Sequence, residues 1–447
     1  VPDLPRPPLA PARPVTLRHA GDERVDPWFW LRERENPEVL EYLRAENAYT
    51  NAALAHLEPT RQRLYEEIVA RVRETDASAP VQRGAHEYFV RTIEGQQYDV
   101  HCRRPAGTEG LPDPDAPPGT AAGETVVLDE NALAAGHDYC AVGDLELDPD
   151  QRLAAYTVDT SGGERYELRF RTLDGGTDPA DVVPDVYYGV AWANDGTVLF
   201  TRPDEAMRPW QVWRHRLGTD SDADELVYQE DDDRFFVSVS RARTGRVVVI
   251  TAASKVTTEV RLIDADAPDD PPRLVERRAH GHEYHVEPHD GPSGTRNLFV
   301  LTNADGAENF ALMVTPLDTP SREHWVTVIP HRADVRLDDL DAFTSHAVVS
   351  ERAEGLERLR VLDLDASGAV ARDHVVATDE EVGSTWMGGN PEYDAEIVRY
   401  GYTSLVTPSS SFDYDVRART STLVKQQPVA GYESARYATE RLWATAP

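Results

Sequence analysis

Across 447 residues, 46 Lys and Arg face 79 Asp and Glu, and the net charge of −33 argues against nucleic acid or an anionic membrane surface as a partner, because phosphate contacts require clustered cations. The longest purely apolar runs, such as Val247 to Ile250, fall far short of the roughly 18 residues a membrane-spanning helix needs. Cys102 and Cys140 are the only cysteines and form no thiolate motif, which excludes a disulfide framework and a Cys-rich zinc site and suits a reducing cytoplasm.

The chain opens in VPDLPRPPLAPARP, a proline-rich coil. Asn36-Pro37 then starts the clearest helix: Asn caps free amide donors, Pro is tolerated at the first helical position, and EVLEYLRAENAYTNAALAHL repeats apolar residues at helical spacing. Val39, Leu40 and Leu43 share one face. A second helix is expected from Thr60 to about Val72, with Leu64, Ile68 and Val72 as its stripe. Residues 1–76 thus read as an arm with two helices.

From Ala77 the pattern changes to short β-branched and aromatic runs punctuated by Gly, Asp, Asn and Pro. Comparable blocks start near Asp144, Tyr187, Phe236, His285, Arg336 and Gly383, about 43 to 51 residues apart, which is the period of propeller blades. With Ala77 to Gly143 as the first block, the count is seven. Each block runs strand, polar turn (DPDQR, ANDGT, ARTGR), strand, loop, then a third strand such as YELRFRTLDGG, WQVWRHRLGT, EVRLIDADAP or LRVLDLDASG. One such sheet cannot bury both its faces, whereas radial stacking of copies does. The expected fold is therefore mainly β, a seven-bladed β-propeller over 77–428, with a β-sandwich array as the alternative. The final YESARYATERLWATAP alternates like a strand with neither turn nor partner after it, so the chain reads as part of a longer protein.

Candidate chemistry is sparse. A serine hydrolase of the α/β type wants its nucleophile in G-x-S-x-G; TSGGE at Ser161 and GPSGT at Ser293 lack that spacing and read as turn serines. No Walker loop, GxGxxG or HExxH occurs. His280, His282, His285 and His289 in AHGHEYHVEPHD form one metal-like cluster. Alternate strand positions put His280 and His282 on one face, but the later spacing leaves it and matches no structural zinc pattern, so a solvated turn between blades is preferred and no cofactor is expected. The WFW at 28–30 reads as packing. Residues alone give a β-repeat binding or gating module.

GDERVDPWFWLRERENPEVLEYLRAENAYT resembles the N-terminal signature of the prolyl oligopeptidase family of serine peptidases. WQVWRHRLGT with VYQEDDDRFFVSV, NADGAENFAL, ERAEGLERLRVLDL and above all NPEYDAEIVRYGYTSLVTPSSSFDYD are similar to its oligopeptidase B (protease II) branch. The resemblance implies that the propeller gates an α/β-hydrolase domain of the same parent chain, which cleaves short basic peptides after Arg or Lys. It implies further that the arm packs on that hydrolase and that 429–447 supply its truncated first strand. No catalytic residue carries over to this sequence. Glu164, in GGERYEL, is similar to the family's interdomain glutamate, which meets a hydrolase arginine in the closed state. Against this gating portion of a serine oligopeptidase stands a free-standing propeller that binds without catalysis.

Overall fold

The structure, a computed structural model, describes residues 6–445. The chain divides into two compact units, one ending at Arg73 and the other beginning at Glu74.

In the first unit, residues 6–14 are coil, and the first five residues of the proline-rich stretch lie outside the described residues. A hairpin pairs Val15–His19 with Asp22–Asp26. Its turn, Ala20-Gly21, takes positive φ at both positions (49° and 86°), the twist that suits a two-residue hairpin. Helix α1 (Pro37–Leu54) starts where the sequence places it: the Asn36 side chain accepts from the Glu38 amide and Pro37 occupies the first turn. A 3-10 turn, Ala55–Leu57, joins α1 to α2 (Glu58–Val69), so the two form one continuous helical run that ends three residues short of Val72. Val39 is buried, Leu40 half-buried, and Leu43 exposed. Trp30 is a packing residue, buried with its indole Nε1 donating to Pro11 O (3.1 Å), whereas Trp28 is exposed.

The second unit contains seven antiparallel sheets in chain order. Blade 1 covers 76–129, blade 2 141–186, blade 3 190–229, blade 4 236–274, blade 5 284–329, blade 6 335–375 and blade 7 384–426. The observed starts lie within three residues of those read from the sequence, and the four third-strand segments occupy third strands. In every blade the first strand is innermost. That of blade 1 is broken into Asp76–Ala77 and Val81–Arg83, both paired with His86–Thr92.

Apolar residues alternate onto the sheet faces, so most cores lie between two blades, with one cluster of Ala77, Phe89, Val100 and Cys102 inside blade 1. Val190, Trp192, Val198 and Phe200 of blade 3 pack on Ala155, Leu168 and Phe170 of blade 2. Equivalent clusters join blades 3 and 4, 4 and 5, 5 and 6, 6 and 7, and 1 and 2. Each fully buried Val, Leu or Phe in them contributes about 1.5–3 kcal/mol. Among the described residues no such cluster joins blade 7 to blade 1. That seam is polar: Lys425 Nζ meets Asp76 (2.6 Å), and Arg399 Nη1 donates to Pro80 O (3.0 Å).

Beyond blade 7, the alternating stretch 432–445 has a 3-10 turn at Ser434–Arg436 and no strand. Alternation alone does not make a strand, because the ladder groups need a neighbour. Ala446 and Pro447 lie outside the described residues.

Candidate functional site

The register fixes which face each loop occupies. Ala141 of the inner strand of blade 2 pairs with Asp159, so the 160–165 loop lies at the end where inner strands begin. Blade 1 starts at that end, and Gln426 returns to it through Ser410, Tyr402 and the start of the inner strand Ser384–Met387. Both ends of the propeller and the Glu164 loop therefore share one face. The turns from first to second strand form the other.

Glu164 sits on a rigid mount. The Asp159 carboxylate accepts from Ser161 N (2.7 Å), Ser161 Oγ (2.7 Å), Gly162 N (3.2 Å) and Glu164 N (2.8 Å), and these bonds outweigh burial to hold it below the usual carboxylate range. Glu164 adopts φ 57° and is exposed, with no ion pair among the described residues. Tyr187 and Tyr188, stacked with centroids 4.2 Å apart, lie on the same side of the propeller, Tyr187 feeling the Glu164 charge.

The inner strands surround an axial cavity of about 690 Å³ whose lining includes Arg83, Glu146, Arg241, Arg243, Glu287 and Asp339. Arg83 and Arg241 donate to the main-chain oxygens of Leu147 (3.2 Å) and Trp192 (2.6 Å). Arg243 of blade 4 reaches much farther, donating to Asn390 O of blade 7 (2.7 Å), Ala342 O of blade 6 (3.0 Å) and Glu287 of blade 5 (3.3 Å), and pairing with Asp341. Its guanidinium also lies over Phe343, 4.6 Å from the centroid. Burial pushes Glu287 up to about 8 even though Arg243 opposes the shift, and burial with the nearby Asp144 charge pushes Glu146 up to about 7. This is a recess of mixed charge suited to holding a polar ligand.

Nothing here assembles a hydrolytic centre among the described residues. Ser161 Oγ is committed to Asp159, and Ser293 Oγ donates to Ala366 O (2.5 Å). Ser345 Oγ lies 3.5 Å from His346 Nδ1, but that histidine is buried against Phe343, pushed down to about 4 by burial, and its Nε2 has no partner to orient it. The four sequence-selected histidines are dispersed, and no metal-binding group of His, Cys, Asp and Glu occurs among the described residues. His280 is exposed as expected of a turn. The solvated-turn reading fails for His282, buried against Tyr284 and Trp325, and for His289, fully buried against Phe299, whereas His285 is exposed but lies on the strand Tyr284–Asp290 and lines the channel. Residues distant in sequence, Trp325 and Thr302 beside His282 and Phe299 and Tyr393 beside His289, decide this, and local spacing does not show them.

Sequence reading missed Arg243, Glu287 and the 388–396 segment as a unit. For Glu287 the signal was a charge at an inner-strand position flanked by apolar residues, as in HVEP; Arg243 lies in the 242–246 turn, where no such signal marks it.

The sequence profile described as the N-terminal β-propeller domain of prolyl oligopeptidase matches residues 7–427. Dipeptidyl aminopeptidase BI of Pseudoxanthomonas mexicana is 40% identical over 95% of this chain and 58% of its own length. Protease 2 of Moraxella lacunata is 33% identical over 98% of this chain and 61% of its own. The chain thus spans about three fifths of these curated relatives. Among solved structures, oligopeptidase B from Trypanosoma brucei with covalently bound antipain, in its closed form, superposes with a TM-score of 0.89 at 33% identity, covering 99% of this chain and 63% of that one. Oligopeptidase B from Leishmania major gives 0.89 at 30% identity with the same coverage. No helix among the described residues is long and apolar enough to cross a membrane.

Proposed function

Because the chain belongs to the prolyl oligopeptidase family through its N-terminal propeller, we propose that it is the substrate-gating portion of a serine oligopeptidase that cleaves short peptides after Arg or Lys. The observation that carries this reading is a TM-score of 0.89 over 99% of the chain to an oligopeptidase B at 33% identity. On this proposal an α/β-hydrolase domain of the same parent chain supplies the catalytic groups, residues 429–447 lead into it, and the arm packs on it. The net charge of −33 raises the local concentration of cationic peptides in a salt-dependent way. Buried, unpaired Cys102 and Cys140 are compatible with a cytoplasmic site of action.

Glu164 is assigned to the closed state. Its exposed carboxylate, on a loop pinned by Asp159 and on the face that carries both propeller ends, suits an arginine from the hydrolase side. Closure excludes folded proteins and admits flexible peptides.

A second reading is removal of dipeptides from a free N-terminus, supported by the 40% identity to a dipeptidyl aminopeptidase. The test joins this chain to the remaining two fifths of its relatives' length. Cleavage after Arg in N-terminally blocked short peptides, with a folded protein spared, supports the first reading. Activity only on free N-termini supports the second, and equal cleavage of folded protein refutes gating.

A further inference from the structure

On the face opposite the chain ends, six blades pass from first to second strand within two to five residues, 84–85 being the shortest such turn and 148–152 among the longest. Blade 7 uses residues 388–396, GGNPEYDAE, between Ser384–Met387 and Ile397–Thr403. Asn390 braces this loop from within, its Oδ1 accepting from Arg399 N (2.7 Å) and its Nδ2 donating to Arg399 O (2.8 Å). Gly388 N and Glu396 O also bond within blade 7, to Arg399 O and Val416 N, but three residues between them bond to other blades. Glu392 Oε1 accepts from Gly84 N of blade 1 (2.5 Å), and Asn390 O accepts from Arg243 of blade 4 (2.7 Å). Tyr393 OH accepts from Asp290 N (2.7 Å) and donates to Asp290 O (2.9 Å), both in blade 5, and Tyr393 O accepts from Thr344 N of blade 6 (2.9 Å).

A loop that merely filled the polar seam would touch blades 1 and 6, its neighbours in the ring. Blades 5 and 4 lie two and three places round the ring from blade 7, and the loop meets Asp290 of the one and the Arg243 side chain of the other beside the central opening. Gly389, Asn390 and Pro391 accordingly line the axial cavity together with inner-strand residues of blades 1, 2, 4, 5 and 6. We propose that residues 388–396 are a plug, latched by Arg243 and Tyr393, that closes one mouth of the axial channel and clasps the ring around it. The cavity is then a blind recess, entered only from the face that carries the chain ends and Glu164. Ligands and peptide tails lodge in it from that side and do not pass through. This inference does not depend on the peptidase reading.

The clasp makes the plug's ties interdependent, which the 447-residue protein tests directly. In Tyr393→Phe, which keeps the ring and removes the bonds to Asp290, and in Arg243→Met, hydrogen exchange at Gly84 and Thr344 should quicken at least tenfold, although their own acceptors are untouched. Val158, in the paired interior of blade 2, should stay at its wild-type rate. Closure is read separately from a Ser240→Cys reporter on the inner strand beside the plug. N-ethylmaleimide should label it within twofold of the same rate with either latch residue, while a polymer-linked maleimide should label at least tenfold faster once the latch is removed. Gly84 and Thr344 exchanging at wild-type rates, all blades loosening together, or an unchanged rate for the bulky reagent would each overturn the proposal.

Discussion

Replacing Glu287 with Gln tests whether the channel holds a neutral carboxylic acid near neutral pH. The side chain keeps 21% of its surface open, but it faces the channel, ringed by protein, and burial raises it from 4.5 to about 8. A folded-state value above the unfolded one means that the native protein binds the extra proton between those limits. The resulting stability is complete below about pH 4.5 and is lost as pH rises through about 8. The interval of about 3.5 units, at about 1.4 kcal/mol each, amounts to about 5 kcal/mol. Gln copies the neutral acid in shape and cannot ionise, so it should match the wild type near pH 5 and gain on it by about 1.4 kcal/mol per pH unit up to about 8. Arg243, Asp339, Asp341 and His285 face the same space in both proteins and largely cancel in the difference. Urea midpoints measured for both proteins from pH 5 to 9 give the comparison. A constant gap, or a wild type that gains on the variant as pH rises, would show that Arg243 stabilises an ionised Glu287 and that the reasoning is wrong.

In the proposed peptidase made by joining this chain to the remaining two fifths of its relatives' length, Glu164→Ala should lower turnover of a short Arg peptide severalfold by shifting the open and closed populations, with the melting temperature unchanged; an unaltered rate removes the residue from gating. Glu351 is fully buried, and although burial pushes its carboxyl up, bonds from Arg360 and Arg332 bring it down to about 2. Its stabilisation is present above about pH 4.5 and lost as pH falls through about 2, and Glu351→Ala should cost about 3–5 kcal/mol by urea denaturation at pH 7. A Cβ at Gly401 would stand 2.2 Å from the Trp386 ring, so Gly401→Ala should destabilise by about 1–3 kcal/mol, read from the same denaturation curve. The 447-residue chain by itself should not hydrolyse Arg esters or amides; turnover by pure protein that a serine-directed inhibitor abolishes would refute this.

The sequence by itself determined the blades and the helix start, because both follow from local rules. Period-two alternation between Gly- and Asp-rich turns marks a strand wherever it lies, and Asn36-Pro37 meets the free amides of the first helical turn whatever packs beyond. Repetition of that grammar left radial stacking as the way to bury both faces of each sheet. What lies on the axis was decided only by the tertiary structure. Arg243 finds Glu287, Asp341 and Asn390 at sequence separations of 44, 98 and 147, and no local pattern joins them. The same holds for AHGHEYHVEPHD, where Thr302 and Trp325 cover His282 and Phe299 and Tyr393 cover His289, residues distant in sequence, while His285 faces the channel. A strand pattern states which residues share a face. Whether that face meets an apolar neighbour, the axial cavity or a loop crossing from another blade depends on ring closure, which brings together groups that the chain keeps far apart.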